Sequence, residues 1–352
     1  MNPPIVDLRS DTVTKPNATM RKAMAEAEVG DDVYREDPTV NRLQERAAEI
    51  FEREDGLFVP SGSMGNQTAI KVHTHHGQEV ICEERAHIYN VEMATMAAFA
   101  GCLARPIFAP DGVLTWDLIA PHVRAKTQNR ARTGLVSLEN TANLAGGSVY
   151  PPEVAERICE EVHAAGLPVH LDGARIFNAA VTLRRPVAEL THGFDSVMFC
   201  FSKGLGAPVG SMLVGSRKFI EEARLVRKML GGGMRQVGVL AAAALVALEE
   251  SPKRLHIDHA NAKFLAEGLA EIPGITIDPS KVVSNILFLD VSHSGFTSFE
   301  ISQRLAAQKV LANGVTPTSM RMVTHCDVDR AGCERAVQVM RQVLGQAQKR
   351  VY

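Results

Sequence analysis

Residues 199–211 read FCFSKGLGAPVGS, an apolar, β-rich run that leads Lys203 straight into glycines. A lysine at the end of a buried strand loses hydration unless it is paired, displaced to the surface, or converted into an uncharged group. The run is one of a series. Upstream lie GLFVP (56–60), EVICEE (79–84), LVSLEN (135–140) and LPVHLD (167–172), all short and strand-like. Helical patterns are interleaved with them: SGSMGNQTAIKVHTHH (61–76), NVEMATMAAFAG (90–101) and PPEVAERICEEVHAAG (151–166). Strand, loop and helix repeated in this way predict an α/β fold, a mostly parallel sheet with helices on both faces in three layers. Such sheets bind ligands beyond the carboxyl ends of their strands.

Outward from this core, DPTVNRLQERAAEIFE (37–52) predicts an amphipathic helix with Val40, Leu43, Ala47 and Ile50 on one face, and Asp37 and Pro38 are its start signals. Past Ser251 the pattern changes to helix, strand, helix and a final helix from about Val328. The expected architecture is a large sheet domain over 1–250, carrying a polar N-terminal arm, and a smaller α+β domain over 251–352.

Composition narrows the function. Of 352 residues 45% are hydrophobic and 22% charged, and 38 basic against 40 acidic residues give a net charge of -2 with no basic block. That predicts an enzyme-sized globular chain and no nucleic-acid partner. The start, MNPPIVDLRSDTVTKP, lacks a secretory pattern, and runs such as VGVLAAAALVAL fall short of a membrane span. A cytoplasmic protein with no membrane partner is the expectation. Six scattered cysteines without a CxxC pair suit reduced, buried thiols. His73, His75, His76, Cys82 and His87 cluster in sequence but show no HExxH spacing, so no metal site is expected.

LPVHLDGARIF places Asp172 at one strand end, and SVMFCFSKG places Lys203 at another. The two could form a buried ion pair. Gly173, Gly204 and Gly206 beside them favour a second reading, because glycine lets backbone approach a planar ligand or adopt positive φ. A lysine that takes an aldehyde and an acid that protonates a pyridine nitrogen are what pyridoxal phosphate requires. Its phosphate needs an anion cradle, and FVPSGSMGNQTAI offers a glycine-rich turn between strand and helix, with Gly62, Ser63 and Met64 as candidates.

These motifs resemble the L-threonine aldolases of low specificity, members of the aspartate-aminotransferase-like (fold type I) pyridoxal-phosphate enzymes. The matching stretches are DLRSDTVTKP (7–16), VGDDVYREDPTVNRLQ (29–44), PSGSMGN (60–66), AHIY (86–89), SLENT (137–141), HLDGARIFNA (170–179), FSKGLGAPVGS (201–211), KMLGGGMRQVG (228–238) and RMVTH (321–325). The resemblance implies that Lys203 bonds the cofactor aldehyde and that Asp172 pairs with the ring nitrogen. It implies that His87 stacks on the ring, and that Arg175 lies near the phenolic oxygen and the substrate carboxylate. Ser10 and Arg321 complete the carboxylate clamp, and Arg235 reaches the phosphate across a subunit boundary. It further implies an amino-acid substrate, retro-aldol cleavage to glycine and an aldehyde, and a homo-oligomer, commonly a tetramer. The family sometimes holds a structural cation near the N-terminal arm, for which Thr12 and Thr14 are the matching positions.

One departure bears on mechanism. Where the family reads LENTHN this chain reads LENTANLAGG, so Ala142 replaces a histidine expected near the substrate β-hydroxyl. Alanine can neither accept a proton nor hydrogen-bond a hydroxyl. Three consequences are open: a wider pocket, deprotonation by His87 or a water, or a changed substrate or reaction. The rival reactions on this scaffold are aryl-serine-restricted aldol cleavage, β-elimination and transamination; the rival class is a binding module without catalysis. Arg35, in VYREDP where VYGDDP is usual, is placed on a loop that borders the pocket.

Overall fold

The computed structural model describes residues 4–348. In chain order its strands are β1 (Val6–Asp7), β2 (Asp55–Val59), β3 (Glu79–Glu83), β4 (Leu103–Ile107), β5 (Thr133–Glu139), β6 (Val169–Asp172), β7 (Ser196–Cys200), β8 (Ser211–Gly215), β9 (Ile286–Asp290), β10 (Val310–Leu311), β11 (Asn313–Thr316) and β12 (Ser319–Val323). The chain divides into two compact units, Pro16–Pro252 and Met1–Lys15 with Lys253–Tyr352.

The larger unit holds a seven-stranded sheet in the order β2-β8-β7-β6-β5-β3-β4. The pairs β3–β4, β3–β5, β5–β6 and β6–β7 are parallel. β8 is antiparallel to both β7 and β2, so β2 points the same way as β7 and all the other strands end at one edge. Every residue of β3, β5, β6, β7 and β8 is buried, as expected for a sheet covered on both faces. The reversal into β8 uses the glycines that follow Lys203. Gly206 and Gly210 take φ of 78° and 104°, and Phe201 N–H bonds Gly210 O at 3.0 Å to close the return.

The helix expected after β2 spans Gly62–His73 and lies against β7. A Cβ at Gly65 would stand 2.6 Å from Met198 Cγ, and one at Gly62 would stand 2.9 Å from Cys200 Sγ. These glycines let the helix approach the sheet. The amphipathic helix expected over 37–52 spans Pro38–Ile50, and Asp37 Oδ1 caps it by accepting from Thr39 and Val40 N–H at 3.1 and 3.0 Å.

Residues 90–101 depart from the expected helix. A four-residue helix, His87–Asn90, is followed by Met93 and Ala94 at φ of 53° and 57°, and one wide turn over Met96–Ala100. Glu92 points inward to three side-chain partners, and the left-handed residues that turn it there interrupt the helix.

The smaller unit has an antiparallel sheet, β11-β12-β9, and a parallel pair, β1–β10. The N-terminal arm, expected with the large domain, belongs here. Val6 and Leu8 enter a core that includes Leu265, Leu289, Val310 and Met320, and Leu8 N–H bonds Leu311 O at 2.8 Å. Two apolar side chains separated by a single acidic residue supply the burial that ties the arm down.

Substituting Gly65 by alanine should lower the unfolding free energy by about 1–3 kcal/mol, because Met198 must move to admit the methyl group. A urea midpoint that stays where it was would show that Met198 yields freely.

Candidate active site

The carboxyl edge of the sheet gathers the charged groups. Asp172 is the last residue of β6, Glu139 is the last of β5 and lies in register with it, and Lys203 follows β7 by three residues. Asp172 is 3% exposed. Its Oδ1 accepts from Ala174 N–H at 3.1 Å and its Oδ2 from Asn66 Nδ2 at 2.7 Å. Lys203 is half-buried, and its charge is felt by His87 and by the Cys200 thiol.

Asn66 links Asp172 to His87. Its Nδ2 also donates to Glu92 Oε1 at 2.9 Å, and Glu92 Oε1 lies 2.7 Å from His87 Nδ1. Gln67 Nε2 donates to the second Glu92 oxygen at 2.6 Å. Burial pulls the His87 basicity down, but the Glu92 hydrogen bond and the charges of Asp172 and Glu92 outweigh it, and the net direction is upward. One ligand atom each from His87, Glu92 and Asp172 fall within 4.8 Å, a spacing open to a metal ion. The facing oxygens of both acids are engaged by the Asn66 amide instead.

Glu139 adds a third acid. Its oxygens accept from His87 N–H at 2.7 Å and Asn143 N–H at 2.8 Å. Burial first, and then the charge of Asp172, push its carboxyl up to about 7.

The anion cradle rests on helix geometry. Ser61 caps the helix by accepting Met64 N–H at 3.2 Å, while the Gly62 and Ser63 amides, in its first turn, have no carbonyl of their own helix to bond. With the helix dipole they make an anion site on the edge where Lys203 and Asp172 lie. Arg175 precedes the helix Ile176–Leu183, is 5% exposed, and donates from Nη1 to Asn143 Oδ1 at 3.3 Å. That bond sets it beside Ala142, which is buried under Gly112; a Cβ there would lie 3.1 Å from the Ala142 methyl.

In the smaller unit Arg321 Nη2 donates at 3.4 Å to Arg9 O, the carbonyl that precedes Ser10. There Ser10 Oγ accepts Thr12 N–H at 3.2 Å, and Thr14 Oγ1 donates to Asp11 O at 3.0 Å. Arg235 is 57% exposed and paired to Asp31 of its own chain at 2.9 Å. Arg35 is exposed. It sits at φ 61° and pairs with Glu221 at 2.5 Å on the surface.

The Beta-eliminating lyase family model matches residues 7–292. Low-specificity L-threonine aldolase 1 of Arabidopsis thaliana is 43% identical over 325 residues, 91% of each chain. The chain belongs to the low-specificity L-threonine aldolase family. Among solved structures, a threonine aldolase of Leishmania major superposes with a TM-score of 0.81 at 22% identity, covering 96% of this chain and 99% of that one. An SPT solved with PLP superposes at 0.74 and 16% identity, covering 97% and 88%.

The side chains present fit pyridoxal phosphate, the SPT ligand. They supply an amine, a buried acid whose oxygens keep lone pairs beyond those used by Ala174 and Asn66, and two first-turn amides for a phosphate. Motif reading missed four contributors to this aldolase-family site. Asn66 and Glu139 stood inside quoted motifs without a role, and Glu92 was hidden in a stretch that reads as helix. His170 lies two residues before Asp172, so strand alternation puts both on one face of β6, and that signal could have found it.

Glu139 gives a pH test. Its folded value, about 7, stands above the ordinary 4.5, so its contribution to stability is complete below the unfolded value and is lost as pH rises through the folded one. Urea unfolding at about pH 5 and about pH 8 should show a smaller decline for Glu139→Gln than for the parent chain. Equal declines would refute the raised value.

Proposed function

We propose that this chain is a pyridoxal-phosphate-dependent aldehyde-lyase that cleaves L-threonine, L-allo-threonine and related β-hydroxy-α-amino acids reversibly to glycine and an aldehyde. The observation that carries the reading is the convergence of Lys203, Asp172 and the open amides at Gly62 and Ser63 on one sheet edge, in a chain of this family. When bound, the cofactor supplies the electron sink that makes the Cα–Cβ bond breakable.

The remaining steps belong to the chain. Lys203 Nζ would hold the cofactor through its aldehyde. Asp172, held by Ala174 N–H and the Asn66 amide, would keep a proton at the ring nitrogen. Gly62 and Ser63 would bind the phosphate through their open amides, with Met64, whose amide is capped by Ser61, the third proposed ligand. Arg175, Ser10 and Arg321 are the proposed carboxylate ligands, and by fixing the carboxylate they would orient the bond to be broken. His87, held at Nδ1 by Glu92, would stack on the ring and keep Nε2 for the β-hydroxyl proton, and general bases of this kind contribute about 10²–10⁴-fold. With alanine at 142, that proton is left to His87 or to a water it holds. Arg235, more than half exposed, is the proposed phosphate ligand of a neighbouring subunit in a homotetramer, and the proposed location is the cytoplasm. No helix among the described residues is long and apolar enough to cross a membrane.

Purified protein loaded with pyridoxal phosphate should release glycine from L-threonine, L-allo-threonine or L-phenylserine. Lys203→Ala should lose both the lysine-bound cofactor absorbance and turnover. A keto acid with ammonia in place of glycine would make the chain a β-eliminating enzyme. Ala142→His should change the ranking of the three substrates; an unchanged ranking would remove position 142 from substrate choice.

A further inference from the structure

Behind this site runs a file of buried polar side chains that the proposed reaction does not use. His73 Nε2 lies 2.7 Å from Ser196 Oγ, Ser196 Oγ lies 2.8 Å from His170 Nδ1, and His170 Nε2 lies 3.1 Å from Asn66 Oδ1. Asn66 then meets Asp172 and Glu92, as described above. His170 and Asn66 are fully buried.

Chemistry fixes the direction of every bond in the file. Asn66 presents its NH2 to both carboxyl groups and turns its Oδ1 toward His170. That oxygen needs a donor, which places a proton on His170 Nε2. Burial, reinforced by His73, pushes His170 down to about 3, and burial pushes His73 down to about 4, so both rings are neutral. A neutral His170 protonated on Nε2 has a bare Nδ1 that accepts from the Ser196 hydroxyl, and the Ser196 oxygen accepts from His73 Nε2–H. All the protons point toward Asp172 and Glu92.

We propose that His170 is a positioning residue for the cofactor: as the Nε2–H tautomer it pins the Asn66 amide so that a single NH2 group holds both Asp172 and the Glu92 carboxylate that fixes His87. Without that donor the amide is free to rotate, and rotation would set its oxygen against two anions. The inference rests on the cofactor assignment and is independent of aldol cleavage.

Two measurements test it. In the wild-type chain carrying ¹⁵N-labelled histidine, the ring nitrogens of His170, assigned by their loss in His170→Gln, should report a neutral Nε2–H tautomer. A proton on Nδ1 would overturn the proposal, and this readout needs neither turnover nor a variant that folds as Phe. In the second, apoprotein is titrated with pyridoxal phosphate. His170→Phe should weaken binding by about 10- to 100-fold, the worth of a hydrogen bond to a charged group, and shift the pH midpoint of the bound cofactor's absorbance. His170→Gln, whose amide can still donate to Asn66, should restore most of both. A folded His170→Phe protein with unchanged affinity and midpoint would overturn the proposal. Cofactor binding without glycine release would defeat the aldolase reading alone and leave both readouts intact.

Discussion

A carboxylate at the end of a fully buried strand has to be solvated by the protein itself, and Asp172 sets that requirement at the centre of the larger unit. Leaving such an ion without donors costs several kcal/mol, roughly the scale of a whole domain's stability. The backbone meets part of the need through Ala174 N–H, and Asn66 meets the rest. Asn66 arrives there on the helix Gly62–His73, which approaches the sheet closely because Gly62 and Gly65 have no side chains to hold it off Cys200 and Met198. The same helix presents its first-turn amides to the edge where Asp172 ends. Solvation of the acid and the anion cradle are therefore two consequences of one packing contact.

The three acids of the site are satisfied by different sets of donors. Glu92 receives side-chain amides from Asn66 and Gln67 and stands beside His87, whose basicity its charge raises. Glu139 receives backbone N–H groups, yet it is pushed up to about 7 by burial and by Asp172. A carboxyl shifted in this way beside a raised histidine is a feature common at sites that hold and move protons.

Ala142 sits in this setting without a polar atom. Its neighbours are the Asn143 that receives Arg175 and the turn at Gly112, so a change at this position alters the wall of the site and leaves its charged groups in place.

The sequence by itself determined the α/β class, the strand-end placement of Asp172 and the lysine that follows β7, and the helix after β2. Alternation, turn residues and caps are local signals, and each of these features is a local consequence of them. It also determined the family, through motifs that run in order along the chain. Tertiary structure decided the rest. Gly62 was read from the sequence as part of an anion cradle, and only the fold shows that it and Gly65 are also required by packing against Cys200 and Met198. The arm at Val6 and Leu8 read as polar, but it joins the smaller unit because strand pairing with Val310 and Leu311 recruits it from three hundred residues away. The stretch from Asn90 to Gly101 had helical composition, and a buried contact made by Glu92 broke it. Glu92, Asn66 and His170 gain their roles from partners distant in the chain. A hydrogen bond between such residues leaves no mark in the local pattern of either, so the contacts of Asn66 with Glu92 and His170, at 2.9 and 3.1 Å, became readable only on folding, while strand alternation marked no more than the face that His170 shares with Asp172.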